Sequence, residues 1–252
     1  DELGRLPLLA PMSEVAGRIA TMAGAWSLQI AQQGAGILLG GIPGVLPAKV
    51  LILGGGVAGK ESLKMAIGLG ADVVLFERNL QRIRELDDLF GGRAKTCFSN
   101  PSYIEEAIKD ADLVIGSVLI PGKKAPRLVT EEMVKSMKEG SAIVDISIDQ
   151  GGCIATSRPT THSSPTYIKH GVVHYCVTNM PAAYARSSTL ALTHATEEYV
   201  LALANKGVKE ALLSNPYFLQ GLNTCLGHVT HHEVANDLGF DYLAPHEALG
   251  FL

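Results

Sequence analysis

Lys49-Val-Leu-Ile-Leu-Gly-Gly-Gly-Val-Ala-Gly59 decides the fold. An apolar run ends in three glycines and a fourth follows three residues on, so Gly54, Gly56 and Gly59 stand in the G-x-G-x-x-G spacing. In a dinucleotide site the first glycine allows a tight turn out of a strand. The second removes a side chain where a diphosphate must approach the backbone, and the third lets the next helix pack close to the sheet. That helix then offers unpaired N–H groups and the positive end of its dipole to the phosphates.

Glycine spacing alone is weak, so the flanks carry the reading. Residues 50–53 are Val-Leu-Ile-Leu, a buried parallel strand. Residues 57–69 place Leu63, Ala66, Ile67 and Leu69 at helical spacing, with Gly70 as the C-cap. Residues 72–76 form a second strand that ends at Glu77, about 20 residues beyond the glycines, where a carboxylate accepts from adenosine ribose hydroxyls. A glycine-rich surface turn with a chance acid does not bring strand, helix, strand and acid together.

Working outward, residues 1–12 read as an extended entry and Ser13 as the N-cap of a helix to about Gln33. Residues 34–47 are glycine-rich and apolar, a loop packed on the domain or at a subunit contact. Downstream, Asn79 caps a helix to Phe90, residues 94–98 are a third strand, and Pro101 opens a helix at its first position. Residues 112–116 are a fourth strand, followed by a loop over 117–124 with Pro121 and Gly122. Thr130 caps a helix with Glu131 and Glu132 in its first turn and Lys138 near its end. Residues 142–147 and 172–177 are the fifth and sixth strands. This alternation predicts an α/β doubly wound parallel sheet, a Rossmann NAD-binding domain. After Pro181 the pattern turns helical: residues 182–205, then 208–213, a break at Pro216, and a last helix capped by Thr230 and running to Leu238. The expected division is a nucleotide domain over 1–183, with its leading helix, and a helical segment over 184–252 belonging to an incomplete substrate domain.

Composition narrows the function. The chain has 252 residues, 47% hydrophobic and 18% charged, with a net charge of −4 and no basic stripe, so nucleic acid is not an expected partner. No apolar run is long enough to span a bilayer and no basic-then-apolar leader opens the chain, so no membrane partner is expected either. Cys97, Cys153, Cys176 and Cys225 are widely separated and read as reduced thiols of a cytoplasmic protein, not as disulfides or a zinc site. The start at Asp1, without a methionine, suggests a fragment or a processed product.

Ligands of such sheets lie beyond the C-terminal strand ends, which nominates Glu77, Ser99, Val118, Asp149 and Asn179. Asp149, in Asp149-Gln-Gly-Gly-Cys153, stands where a nicotinamide would lie and could hold a water or steady a cationic intermediate; it could equally just start a glycine turn. Arg158 could pair with a phosphate or carboxylate, or be a solvated arginine. Asn179 could bind a carboxamide, cap a helix, or do both. His228, His231, His232 and Glu233 lack metal-ligand spacing, since His231 and His232 point to different helix faces, so no metal is expected. His162, His170, His174 and His194 show no partner by spacing.

Five stretches together resemble bacterial alanine dehydrogenase: Leu8-Leu-Ala-Pro-Met-Ser-Glu-Val-Ala-Gly-Arg18, Leu53-Gly-Gly-Gly-Val-Ala-Gly59, Val144-Asp-Ile-Ser-Ile-Asp-Gln-Gly-Gly-Cys153, Ser157-Arg-Pro-Thr-Thr161 and Asn179-Met-Pro181. The first domain of proton-translocating transhydrogenase shares that fold but its equivalent loops read differently. The resemblance implies reversible oxidative deamination of L-alanine by NAD to pyruvate and ammonia. It implies cofactor contacts from Ser13, Val57, Ala58, Glu77, Arg82, Ser99, Val118, Leu119, Ile146, Ser147, Ile148, Asp149, Arg158, Val177, Thr178, Asn179 and Met180, with Asp149 as the catalytic aspartate. It also implies a homo-oligomer, a hexamer in the family. Glu77 stands where the family usually has aspartate; an acid there disfavours NADP. Family members carry a further N-terminal segment that supplies most of the substrate domain, with an arginine, a lysine and a histidine. Nothing in this sequence matches it, so the expectation is a C-terminal portion that binds NAD(H) and turns over alanine poorly by itself. Two alternatives are a non-catalytic NAD(H)-binding module and a transhydrogenase-like NAD(H) domain.

Overall fold

The first strand, β1 (Lys49–Leu53), is an interior strand of a seven-stranded sheet. Its side chains alternate between two buried faces. Val50 and Ile52 enter one apolar cluster, with Leu63, Ala66 and Leu75; Leu51 and Leu53 enter the other, with Ile104, Ile108 and Val114. A strand covered on both faces needs this unbroken apolar run, because neither side meets water.

The computed structural model describes residues 1–120 and 124–251. The loop features expected at Pro121 and Gly122 lie outside the described residues. The nucleotide-type unit spans Met12–Ser188. It contains most of α1 (Ala10–Ser27), then α2 (Val57–Gly68), β2 (Asp72–Glu77), α3 (Leu80–Phe90), β3 (Lys95–Phe98), α4 (Pro101–Asp110), β4 (Leu113–Gly116), α5 (Glu131–Lys135), β5 (Ala142–Asp145), β6 (Thr166–Lys169) and β7 (Val172–Tyr175). The strand order is β3-β2-β1-β4-β5-β7-β6. The order reverses beside β1, the crossover at which ligands of doubly wound sheets collect.

The sheet is not parallel throughout. β6 pairs antiparallel with β7, joined by a two-residue turn at His170 (φ 53°) and Gly171 (φ 74°). Both central residues take positive φ, as a tight hairpin demands. The sequence reading passed over β6 because it expected only crossover connections. His170 is also not isolated: its Nε2 lies 2.6 Å from Glu131.

The leading helix begins earlier and ends sooner than expected. Ser13 is not an N-cap; it is the fourth residue of α1, which a turn over Leu6 to Ala10 introduces. Pro11 falls in the first helical turn, where its missing N–H has no intrahelical partner to lose. The helix stops at Ser27, and a separate 3₁₀ turn over Ile30–Gln32 follows. The small residues of α1 have packing partners. A Cβ on Gly17 would sit 2.2 Å from the Ala58 carbonyl oxygen, and one on Gly24 would meet Leu113 at 2.4 Å. Ser62 Oγ donates to the Gly17 carbonyl and Thr21 Oγ1 to the Ser62 carbonyl, so hydrogen bonds fix the α1–α2 contact as well. Of the apolar loop over 34–47, Leu39 is buried, while Leu38, Ile42, Val45 and Leu46 are exposed.

The other unit gathers Asp1–Pro11 with Thr189–Leu252, so residues 1–11 and 184–188 fall on the other side of the division at 183. It holds most of the long helix α6 (Ala185–Leu213), which breaks at Gly207 (φ 75°), the gap expected between two helices. After it come α7 (Pro216–Leu219), the short strands β8 (Thr224–Cys225) and β9 (His228–Val229), α8 (His232–Leu238) and α9 (Pro245–Gly250). Pro216 opens α7, capped by the Asn215 side chain. Thr230 does not cap α8: its hydroxyl donates to the Leu222 carbonyl, and His231 takes the N-cap position without a side-chain bond. The core of this unit is small, centred on Leu212, Leu219, Cys225, Ala248 and Leu249.

Candidate dinucleotide-binding site

The glycine turn has the properties its spacing demands. Gly54 takes φ +100°, and a Cβ there would lie 2.9 Å from the Ser117 carbonyl oxygen. A Cβ on Gly59 would lie 1.8 Å from the Gly54 carbonyl oxygen, so α2 can cross β1 this closely only with glycine. Gly56 differs: a Cβ there would meet nothing within 4 Å. The protein does not itself need Gly56 to be glycine. An external group approaching the backbone does. Gly56 is the N-cap residue of α2, whose first-turn amides have no intrahelical acceptor. These features fit a bound diphosphate.

Glu77, at the tip of β2, is tied to the same turn. Its Oε2 accepts the Gly55 N–H at 2.7 Å, and its Oε1 accepts the Arg78 and Asn79 N–H groups at 2.6 and 2.9 Å. A carboxylate offers about four acceptor positions, and these three bonds leave one, on Oε2. Arg82 Nε donates to the Gly55 carbonyl at 2.7 Å, so the residue is held through both its N–H and its carbonyl. Ser99 follows β3, its amide donating to the Glu77 carbonyl. Val118 is half-buried and Leu119 exposed just past β4, while Ser13, half-buried, is on α1.

Past β5 the chain winds into a 3₁₀ turn, Ile146–Gln150, which places Asp149 at the surface. Ser147 and Ile148 are buried, and Ser147 Oγ donates to the Val118 carbonyl at 2.8 Å, joining the ends of β4 and β5. Gly151 (φ 89°) and Gly152 (φ 80°) then reverse the chain. Sequence reading missed Asp145, the last residue of β5. It is fully buried, and its carboxylate accepts from the Ser147, Cys153 and Ile154 amides. Burial pushes its pKa up, against those hydrogen bonds. Cys153, also fully buried, is pushed well above the ordinary thiol range by burial and by the nearby Asp145 charge.

Beyond β7, Val177 and Met180 are buried. Asn179 adopts the left-handed conformation (φ 52°) at the start of the Met180–Tyr184 turn, and its side chain makes no cap bond, contrary to the capping alternative. Its carbonyl lies 3.1 Å from His162 Nε2. Thr178 is half-buried between them in sequence.

Arg158 is exposed. Its guanidinium lies over the Tyr167 ring at 4.0 Å, and Tyr167 stacks on His174 with centroids 4.9 Å apart. The Tyr167 hydroxyl accepts the Arg158 N–H and donates to the Thr156 carbonyl. His174 Nδ1 faces the Val172 carbonyl, which requires a proton there, so Nε2 accepts from Thr156 Oγ1 at 2.7 Å. Burial lowers the His174 pKa to about 4, in keeping with that neutral form. Of its partners, Tyr167 lies on β6, the strand not foreseen, while Thr156 comes from the loop before it and Val172 from β7 itself.

With the geometry in place, the likeness to known proteins is specific. Residues 20–232 match the family described as alanine dehydrogenase/PNT, C-terminal domain. The chain belongs to this family. It is 53% identical to an alanine dehydrogenase of Halomonas elongata over 98% of this chain, and 59% identical to alanine dehydrogenase 2 of Staphylococcus aureus over 97%. It spans about two thirds of those relatives, 67% and 66% of their lengths. A solved L-alanine dehydrogenase superposes with a TM-score of 0.89 and 49% identity, over 93% of this chain and 65% of that one. As expected of an alanine dehydrogenase/PNT domain, the fold is a mostly parallel, helix-flanked Rossmann sheet. No helix among the described residues is long and apolar enough to cross a membrane.

Proposed function

We propose that this chain carries the NAD(H) site of an alanine dehydrogenase, which interconverts L-alanine with pyruvate and ammonia. The observation that carries the cofactor part is the open face of Gly56. Every other tight glycine of the turn serves the protein's own packing, and this one leaves room for a ligand's phosphates. The α2 amides receive the diphosphate, and the remaining acceptor on Glu77 receives an adenosine ribose hydroxyl. A carboxylate at that point repels the extra phosphate of NADP, so the cofactor is NAD.

When bound, nicotinamide supplies the hydride acceptor. The chain's own part is orientation and proton handling. Asp149, exposed past β5, holds a water or steadies the cationic intermediate of the deamination. Val118 and Leu119, the Ile146–Asp149 turn and the Val177–Met180 backbone line the nicotinamide end; Arg158 presents a cation held by Tyr167. Ser13, Ser99 and Arg82 complete the cofactor set, Arg82 through its hold on Gly55. The alanine, pyruvate and ammonia specificity, the homo-oligomer (hexameric in the family) and a cytoplasmic location are carried over from the similarity to the alanine dehydrogenases. The test is Asp149→Asn in the full-length protein. It should lower kcat far more than NADH affinity; equal kcat would remove Asp149 from the chemistry.

A further inference from the structure

The loop that carries Asp149 is closed at both ends by one buried carboxylate, and the mechanism above leaves that carboxylate unused. Asp145 Oδ1 accepts the Ser147 N–H at 3.1 Å, at the loop's start. Its Oδ2 accepts the Cys153 N–H at 3.0 Å and the Ile154 N–H at 3.3 Å, at the loop's end. The Cys153 thiol points at Oδ1 from 3.6 Å. Among the described residues no lysine or arginine forms an ion pair with Asp145; the backbone amides, with the Cys153 thiol and the Ser157 side chain, meet its charge.

The surrounding residues leave space for this arrangement. A Cβ on Gly152 would lie 2.7 Å from Oδ2, and one on Gly116 would lie 3.1 Å from Oδ1 and 2.4 Å from Cys153 Sγ. Two glycines thus clear room for the carboxylate and its thiol neighbour.

We propose that Asp145 is a positioning residue that sets where Asp149 stands above the strand ends. This rests on the role given to Asp149 under Proposed function. Capping the 3₁₀ turn alone would need only one acceptor, which asparagine supplies. Holding both ends needs two acceptor oxygens. An asparagine at 145 must turn its NH₂ toward one set of amide donors, so one end of the loop is released. Asp149 lies midway between those ends, and a displacement of about 1 Å of a group near the chemistry can cost about a hundredfold in rate.

The experiment is a double-mutant cycle in the full-length protein, with Asp145→Asn, Asp149→Asn and the pair, read by pyruvate-dependent NADH oxidation. Amide exchange at Ser147, Cys153 and Ile154 is followed in parallel. The expected result is a kcat lowered about tenfold or more by Asp145→Asn, with a smaller change in KM. Exchange should quicken at Ser147 or at the Cys153–Ile154 end, and the pair should be no slower than Asp149→Asn alone. Losses that multiply in the pair, or a wild-type kcat for Asp145→Asn beside an impaired Asp149→Asn, overturn this inference only. A wild-type kcat for Asp149→Asn overturns the reading of Asp149, and this inference with it. Should Asp145→Asn not fold, Asp145→Thr, which keeps one acceptor for the Ser147 amide, is read by the same cycle.

Discussion

The Glu77 carboxylate accepts the Gly55 N–H at 2.7 Å, while Arg82 donates to the Gly55 carbonyl from the other side. The acid expected to face only the ribose is therefore also a strut of the glycine turn. Glu77→Ala should weaken NADH by about tenfold to a hundredfold, since hydrogen bonds to charged groups contribute about 1.5–3 kcal/mol. Arg82→Ala should weaken it less, by loosening the turn without removing a ribose contact. NADH fluorescence titration of both variants checks the order; equal losses would show that Glu77 acts through the turn alone.

Gly17 on α1 touches the backbone of Ala58, in the first turn of α2. Gly17→Ala should cost about 1–3 kcal/mol, the range for overpacking a close contact. It should also reduce NADH affinity, because the displaced backbone carries the phosphate-facing amides. Urea unfolding with and without NADH measures both effects, and a variant with unchanged stability would mean that α1 can shift freely.

His174 gives a pH dependence with a definite sign. Burial lowers its folded pKa to about 4 from an ordinary value of 6.5, with Arg158, Lys169 and His170 adding to the lowering. The neutral folded ring contributes fully above pH 6.5. As pH falls from 6.5 toward 4 the unfolded chain takes up a proton that the folded one refuses, so stability declines across that window. The full effect is on the order of 3 kcal/mol, and His174→Gln, which keeps a donor and an acceptor, should flatten the profile over the same range. Urea midpoints at half-unit pH steps test this; identical slopes for both proteins would exclude His174 as the source.

How much of this was legible in the sequence follows from which interactions are local. The glycine turn, β1, β2 and the Asn79 and Thr130 caps are readable, because each is set by residues a few positions apart. Asn79, for instance, accepts from an amide three residues on. Ser13 and Thr230 were misread as caps because each has a cap-type side chain before an apolar run, and tertiary contacts gave the hydroxyl another place. β6 was missed because an antiparallel edge breaks the strand–helix alternation, although the His170-Gly171 pair was a usable turn signal. Asp145 escaped because it sits inside an apolar strand, where nothing short of the folded loop shows that three amides converge on it. Asp149 and Arg158 are nominated by the family resemblance alone, since topology leaves them even with, or less favoured than, plain surface readings.

Gly56 separates folding from binding more cleanly than the other glycines of the turn, since an added methyl meets no protein atom within 4 Å. The decisive measurement is an NADH titration of the wild-type chain and Gly56→Ala, with urea unfolding of both. The account predicts saturable binding by the wild type, unfolding midpoints that agree to within about 0.5 kcal/mol as for a substitution that touches nothing, and an affinity at least about tenfold weaker for the variant, whose methyl group occupies the diphosphate's approach. Equal NADH affinities in the two proteins, or no binding by the wild type, would contradict it.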